Sequence, residues 1–374
     1  MVQKKCNLTG VAETFQRHFD DGLEVGAGLA VFVEGELAVN LWDGFADKAR
    51  TQPWQADTLV NVWSTSKNLM ALAIAMEVDR GHLSYTDPVA RHWPEFAQAG
   101  KEAITVEQVL SHQAGMNAFR AEMEADDVLD WELSTSRLAA QQPWWEPGTD
   151  QGYGALTYGF MAGEILHRVT GKMPGLYVRD EITRPLGIAD QLYLGLPDAE
   201  QHRAAEMIKP KGVPRSGDGT PPGKDAIQAF RNPPIDANRP NDPAYRAAQI
   251  PSTNVQATAF GFARLFSELA QGGGVLLSPE TLAEATRVRT ERRDRTLRQP
   301  MRWAAGFLRN DGTIYGPGAR TFGHSGFGGS FAFADPDASV SVGYVMNRMD
   351  INLFADPRSK NLIGSIFEAL GQAA

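Results

Sequence analysis

Strand-forming patterns cluster at the two ends of this 374-residue chain and are nearly absent from its middle. Residues 29–33 and 36–42 are apolar, β-rich runs on either side of Glu34-Gly35, the pattern of an antiparallel hairpin. A third short run, 59–63, leads into Ser64. Three more strands are expected at 301–308, 330–334 and 339–347, the last two joined at Asp335-Pro336-Asp337-Ala338. One sheet must therefore be assembled from distant parts of the chain. Helices flank it: Leu8, Val11, Phe15 and Phe19 recur at helical spacing behind Thr9, a candidate N-cap, and end near Gly22, while 357–370 closes the chain.

From Thr65 to Arg80 the chain is apolar on nearly every side (Leu69, Met70, Leu72, Ile74, Met76), which suits a helix enclosed on most faces. Residues from about 83 to 205 carry helix signatures, such as the Tyr158, Met161, Ile165, Val169 stripe stopped at Gly171, and few strand patterns. Nine of the 22 prolines fall between Pro210 and Pro251, so irregular chain is expected there, of a kind that often covers a site. Helices follow at 258–271, ended by three glycines, and from Ser278-Pro279. The predicted class is α+β: an antiparallel sheet flanked by helices (1–82 and 252–374) with an inserted, mainly helical subdomain and Pro-rich connection (83–251).

Thirty-six Lys and Arg against 45 Asp and Glu leave a net charge of −9, which repels phosphates and anionic lipid, so neither nucleic acid nor a membrane surface is an expected partner. One cysteine, Cys6, forms no internal disulfide or zinc cage. No apolar run approaches the ~18 residues of a membrane span, and a soluble, cytoplasmic protein is expected.

Chemistry is suggested first by Ser64-Thr65-Ser66-Lys67. A serine hydroxyl attacks well only if a neighbouring group takes its proton. Three residues on a helix place Lys67 one turn away on the same face. A serine opening that helix also sits where unpaired backbone N–H groups can face an oxyanion. Taken alone, the tetrapeptide reads equally as a helix start with a solvated lysine. Tyr153, in the turn Gln151-Gly152-Tyr153-Gly154, is a second candidate, its phenol able to handle the same proton or simply to bury its ring. The third is Phe322-Gly323-His324-Ser325-Gly326-Phe327-Gly328-Gly329, whose glycines let backbone approach a ligand or merely form a bulged loop. His112 is expected to hold a helix end, and Glu146 and Asp150 to be turn and surface carboxylates. Trp144 and Trp145, with the Pro-rich stretch, are candidates for an apolar pocket.

Ser64-x-x-Lys67, Tyr153 some 90 residues on, and the His324-x-Gly326 start of a late strand resemble, in that order, the serine β-lactamase and penicillin-binding-protein superfamily. Within it the chain is most similar to class C β-lactamase-like carboxylesterases, the family VIII esterases. The likeness covers nearly the whole chain, including the Leu-Ser-His-x-x-Gly stretch at 110–115 and Pro147-Gly148-Thr149 before Tyr153. It implies the β-lactamase-like fold with a cleft between sheet and helical parts, Ser64 as acyl-accepting nucleophile, and Lys67 and Tyr153 as its general base/acid partners, with Tyr153, held as or near a tyrosinate by Lys67, taking the Ser64 proton. It further implies an oxyanion hole from the N–H groups of Ser64 and Phe327, and substrate contacts from His324, Ser325 and Gly326. No metal or cofactor is called for. The lactamase Tyr-x-Asn reads Tyr153-Gly154-Ala155, and His324 replaces a lysine; both favour small-molecule carboxylic esters over β-lactams. A β-lactamase or D-peptidase, an acyltransferase, and a non-catalytic sensor on the same scaffold remain as alternatives.

Overall fold

The computed structural model describes residues 8–212, 217–352 and 356–372; Cys6 and part of the Pro-rich stretch lie outside them. The strands, in chain order, are β1 (Gly26–Val33), β2 (Glu36–Gly44), β3 (Val60–Asn61), β4 (Leu192–Tyr193), β5 (Gln256–Ala257), β6 (Thr290–Arg293), β7 (Pro300–Trp303), β8 (Leu308–Arg309), β9 (Phe322–Ser325), β10 (Phe331–Asp335) and β11 (Val340–Met346). Helices of two turns or more are α1 (Thr9–Asp20), α2 (Lys67–Asp79), α3 (Trp131–Ala140), α4 (Thr157–Thr170), α5 (Lys224–Arg231), α6 (Ala259–Ala270), α7 (Pro279–Thr286) and α8 (Pro357–Ala369).

Eight strands form one antiparallel sheet in the order β2-β1-β11-β10-β9-β8-β7-β6. The N-terminal hairpin thus pairs directly with the last strand, Ala27 opposite Met346 and Val33 opposite Val340. Strand alternation sorts the two faces by size. Small residues on one face (Ala332, Ser341, Gly343) let α6 approach so closely that a side chain at Gly343 would meet the α6 backbone, and Ser341 Oγ donates to Ala263 O at 2.7 Å. The other face stacks Phe331 on Phe333, and Phe333 on Phe367 of α8.

Where the structure differs from the sequence-based expectation, backbone conformation is the reason. The run at 59–63 does not join the main sheet; its strand, β3, belongs to a separate three-stranded sheet with β5 and β4. The run at 301–308 is broken into β7 and β8 by the turn at 304–307, where Gly306 takes φ +90°. β6 and β9 were not anticipated: Thr-Glu-Arg-Arg and Phe-Gly-His-Ser lack the alternating apolar pattern that announces a strand. Leu8, not Thr9, precedes the first helix at its N-cap. The Pro-rich stretch holds a helix, α5, as well as irregular chain.

α2 carries the site. Every residue from Lys67 to Glu77 is buried, as its all-round apolar composition requires. Side chains such as Leu69, Leu72 and Ile74, fully shielded, each contribute on the order of 1.5–3 kcal/mol of burial. The helix is therefore a rigid mount.

Candidate active site

The chain enters the site along β3, pinned to β5, and Val62 N–H donates to Val255 O at 3.1 Å. Trp63 then takes the left-handed conformation (φ +48°), uncommon for an aromatic residue, and turns the backbone into a short 3-10 segment, Trp63–Ser66, that leads into α2. Ser64 lies in that first turn, where N–H groups have no helical acceptor.

Lys67 is the first residue of α2 and reaches back to Ser64. Its Nζ lies 3.2 Å from Ser64 Oγ, 3.0 Å from Ala155 O and 3.1 Å from Ser252 O. No carboxylate is among these partners. Burial holds its pKa well below the ordinary lysine value, because a charged ammonium would lose its hydration with only carbonyl dipoles in return. Nζ donates in all three contacts, and the lowered pKa brings the neutral amine, with a lone pair for the serine proton, within easier reach.

Tyr153 OH lies 2.6 Å from Ser64 Oγ and donates to it. Burial raises the phenol above its ordinary value, so it stays protonated. Three groups aim it. Asp294 accepts the Tyr153 N–H at 3.0 Å, Gly154 N–H donates to His112 Nδ1 at 3.2 Å, and the ring stacks on Trp303 with centroids 5.6 Å apart and planes 9° off parallel. Asp294 is itself gripped by the N–H groups of Thr296 and Leu297 and by Trp303 Nε1, which offset the cost of its burial. Asp294 and Trp303 escaped sequence reasoning, since an aspartate inside Glu-Arg-Arg-Asp-Arg reads as solvated chain. His112 does hold local structure, but the structure it holds is the Tyr153 turn.

The third motif splits. Phe327 and Ser325 line the cavity in front of Ser64. The Phe327 N–H has no acceptor among the described residues, and its ring sits edge-on to Trp63 at 5.5 Å. Gly326 packs under this turn, where a Cβ would overlap the Val62 carbonyl oxygen and the Ser330 hydroxyl, and it borders a smaller cavity of 290 Å³ on the far side. His324, expected to touch substrate, is fully buried behind Tyr153, with Nδ1 2.8 Å from Ser325 O and a pKa pushed down to about 3, chiefly by burial. It is neutral and does not line the cavity. Strand β9 turns its side chain inward, whereas the resemblance sets His324 at the start of a strand that lines the site.

From beneath, buried Arg358 braces the same turn. It donates to Gly328 O at 2.7 Å, Asp356 at 2.6 Å and Glu24 at 2.9 Å. Ser359 Oγ adds a bond to Gly329 O at 3.1 Å.

The cavity over Ser64 measures about 860 Å³ and is walled by Trp63, Phe230, Ile235, Leu297 and Phe327, among others. Trp144 and Trp145 do not line it. Their indole N–H groups donate to Ala118 O and Asp150 O, fixing the chain around Tyr153.

A serine whose oxygen meets a buried lysine and a buried tyrosine, on an antiparallel sheet with an enclosed helix, defines a β-lactamase-fold serine hydrolase. The chain belongs to the Beta-lactamase family, whose model matches residues 14–363. It is 34% identical over 337 residues to the esterase/beta-lactamase LipL of Mycobacterium tuberculosis, covering 87% of this chain and 77% of that protein. The crystal structure of a family VIII carboxylesterase is similar with a TM-score of 0.92 and 41% identity, over 99% of this chain and 98% of the other. A penicillin-binding protein homolog from Caulobacter crescentus gives 0.91 and 43%, over 97% of each chain.

Proposed function

We propose that the chain hydrolyses small carboxylic esters through an acyl-enzyme on Ser64. The observation that carries this is the convergence of Tyr153 OH (2.6 Å) and Lys67 Nζ (3.2 Å) on one serine oxygen at the wall of an apolar cavity. The esterase and carboxylesterase named among its relatives support the same reading.

In this mechanism the neutral Lys67 amine takes the Ser64 proton as Oγ attacks the carbonyl carbon. The oxyanion rests on the N–H groups of Ser64 and Phe327. Tyr153 gives its phenolic proton to the departing alkoxide, leaving the acyl ester. Its phenolate then takes a proton from water, the hydroxide attacks the acyl carbon, and the Lys67 ammonium returns its proton to Ser64 as the acid leaves. Burial of both groups favours an amine base over a tyrosinate base. Ser325 serves as a substrate contact, and a cytoplasmic location forms part of the proposal. Ala155 offers no side-chain amide and His324 no exposed cation, so esters take precedence over β-lactams.

The test is a fluorophosphonate label with short-chain p-nitrophenyl esters. A mass shift on the peptide containing Ser64, with hydrolysis abolished in Ser64→Ala, is expected; unaltered turnover in that variant ends the assignment. Nitrocefin in the same buffer is expected to react more slowly than the ester.

A further inference from the structure

The cavity over Ser64 has a catalytic side and a covering side. Trp63, Tyr153 and Phe327 surround the serine, and Ala226, Ile227 and Phe230 cover it from α5. Two lining residues carry charge, and both are arginines: Arg231 in the last turn of α5, and Arg298, which follows β6. Among the described residues no Asp or Glu lines the space. That is unexpected in a chain of net charge −9, where acidic residues outnumber basic ones.

The acidic residue of the covering helix is engaged elsewhere, since Asp225 is held by Arg295 at 3.0 Å and lies near Asn117 at 3.4 Å. Arg298 donates to Thr220 O. Arg231 makes no ion pair or side-chain hydrogen bond among the described residues. A cation in a last helical turn complements the helix dipole, which accounts for one arginine but not for a second on a separate segment with no carboxylate between them.

We propose that this cavity selects esters whose apolar body ends, away from the scissile bond, in a carboxylate or similar anion, and that Arg231, with Arg298 on the lining of the same cavity, reads that anion. The proposal rests on the esterase reading of Ser64. An anion facing planar guanidinium groups gains charge-assisted hydrogen bonds, and because Arg231 is exposed these bonds are open to screening by salt. The rest of the cavity takes the hydrocarbon.

The experiment compares kcat/KM for the monomethyl esters of suberic and sebacic acid with that for the neutral methyl esters of octanoic and decanoic acid, using the full chain. Arg231→Gln is expected to lower kcat/KM about tenfold on the acid-terminated esters, through KM, and to leave the neutral esters within about twofold. Arg231→Glu should push the ratio further toward the neutral esters, and added salt should shrink the wild-type preference. Equal losses on both ester classes in Arg231→Gln, or an unchanged ratio in Arg231→Glu, would overturn the proposal. Failure of the esterase reading looks different: neither class is hydrolysed and Ser64 is not labelled.

Discussion

Lys67 is an expensive residue to bury. In the unfolded chain it is protonated below about 10.5, whereas in the fold its pKa is depressed, so the folded state binds fewer protons over the interval between. Stability from this group therefore falls as pH drops below its unfolded value, until the depressed folded value is reached. Lys67→Met should abolish ester turnover yet show a Tm advantage over wild type that grows as pH is lowered from 10 to 7. A melting series across that range checks the slope; a gap that narrows toward pH 7 contradicts it. At Gly326, where a Cβ would meet Val62 O, alanine should displace the Phe327 N–H and cost roughly a hundredfold in kcat, as loss of an oxyanion donor does. Steady-state kinetics on a p-nitrophenyl ester would read it. Ser64, Lys67 and Tyr153 were legible in the sequence because helical spacing ties the first two and chain order supplies the third. The inward turn of His324 was not, since nothing in Gly-His-Ser-Gly says which side of a strand the ring takes.

At the level of elements, the turn joining β9 to β10 depends on side chains from α8 and from the segment before β1. Arg358 holds Gly328 O while Glu24 and Asp356 neutralise its charge, and Tyr344 OH donates to Glu24. Replacing Arg358 by Met takes the guanidinium from two buried carboxylates and from the carbonyls of Gly328 and Arg348, a loss of about 3–5 kcal/mol to be read by urea denaturation. Lysine should rescue little, because one ammonium cannot reproduce the guanidinium fork. Helices were easier to locate than strands. Ser278 announced its helix as an N-cap, accepting from Thr281 N–H at 3.2 Å; Thr258, the first residue of the run expected at 258–271, caps its helix by accepting from Gly261 N–H at 3.0 Å. β6 owes its place to pairing with β7 rather than to its own residues, so no local pattern marked it.

Across the whole molecule, the joining of the two ends into one sheet followed from where the apolar runs lie. The division at residues 83 and 251 remains our proposal, and β4 qualifies it: Leu192–Tyr193, inside that segment, pairs with β5 beyond it. No helix among the described residues is long and apolar enough to cross a membrane. The position of β1, between β2 and β11, also bears on how the protein is made. On the ribosome the hairpin emerges about 300 residues before the strand that covers the open edge of β1. Until then an apolar edge stays available to other chains, and a message truncated before β11 should yield a polypeptide inclined to aggregate.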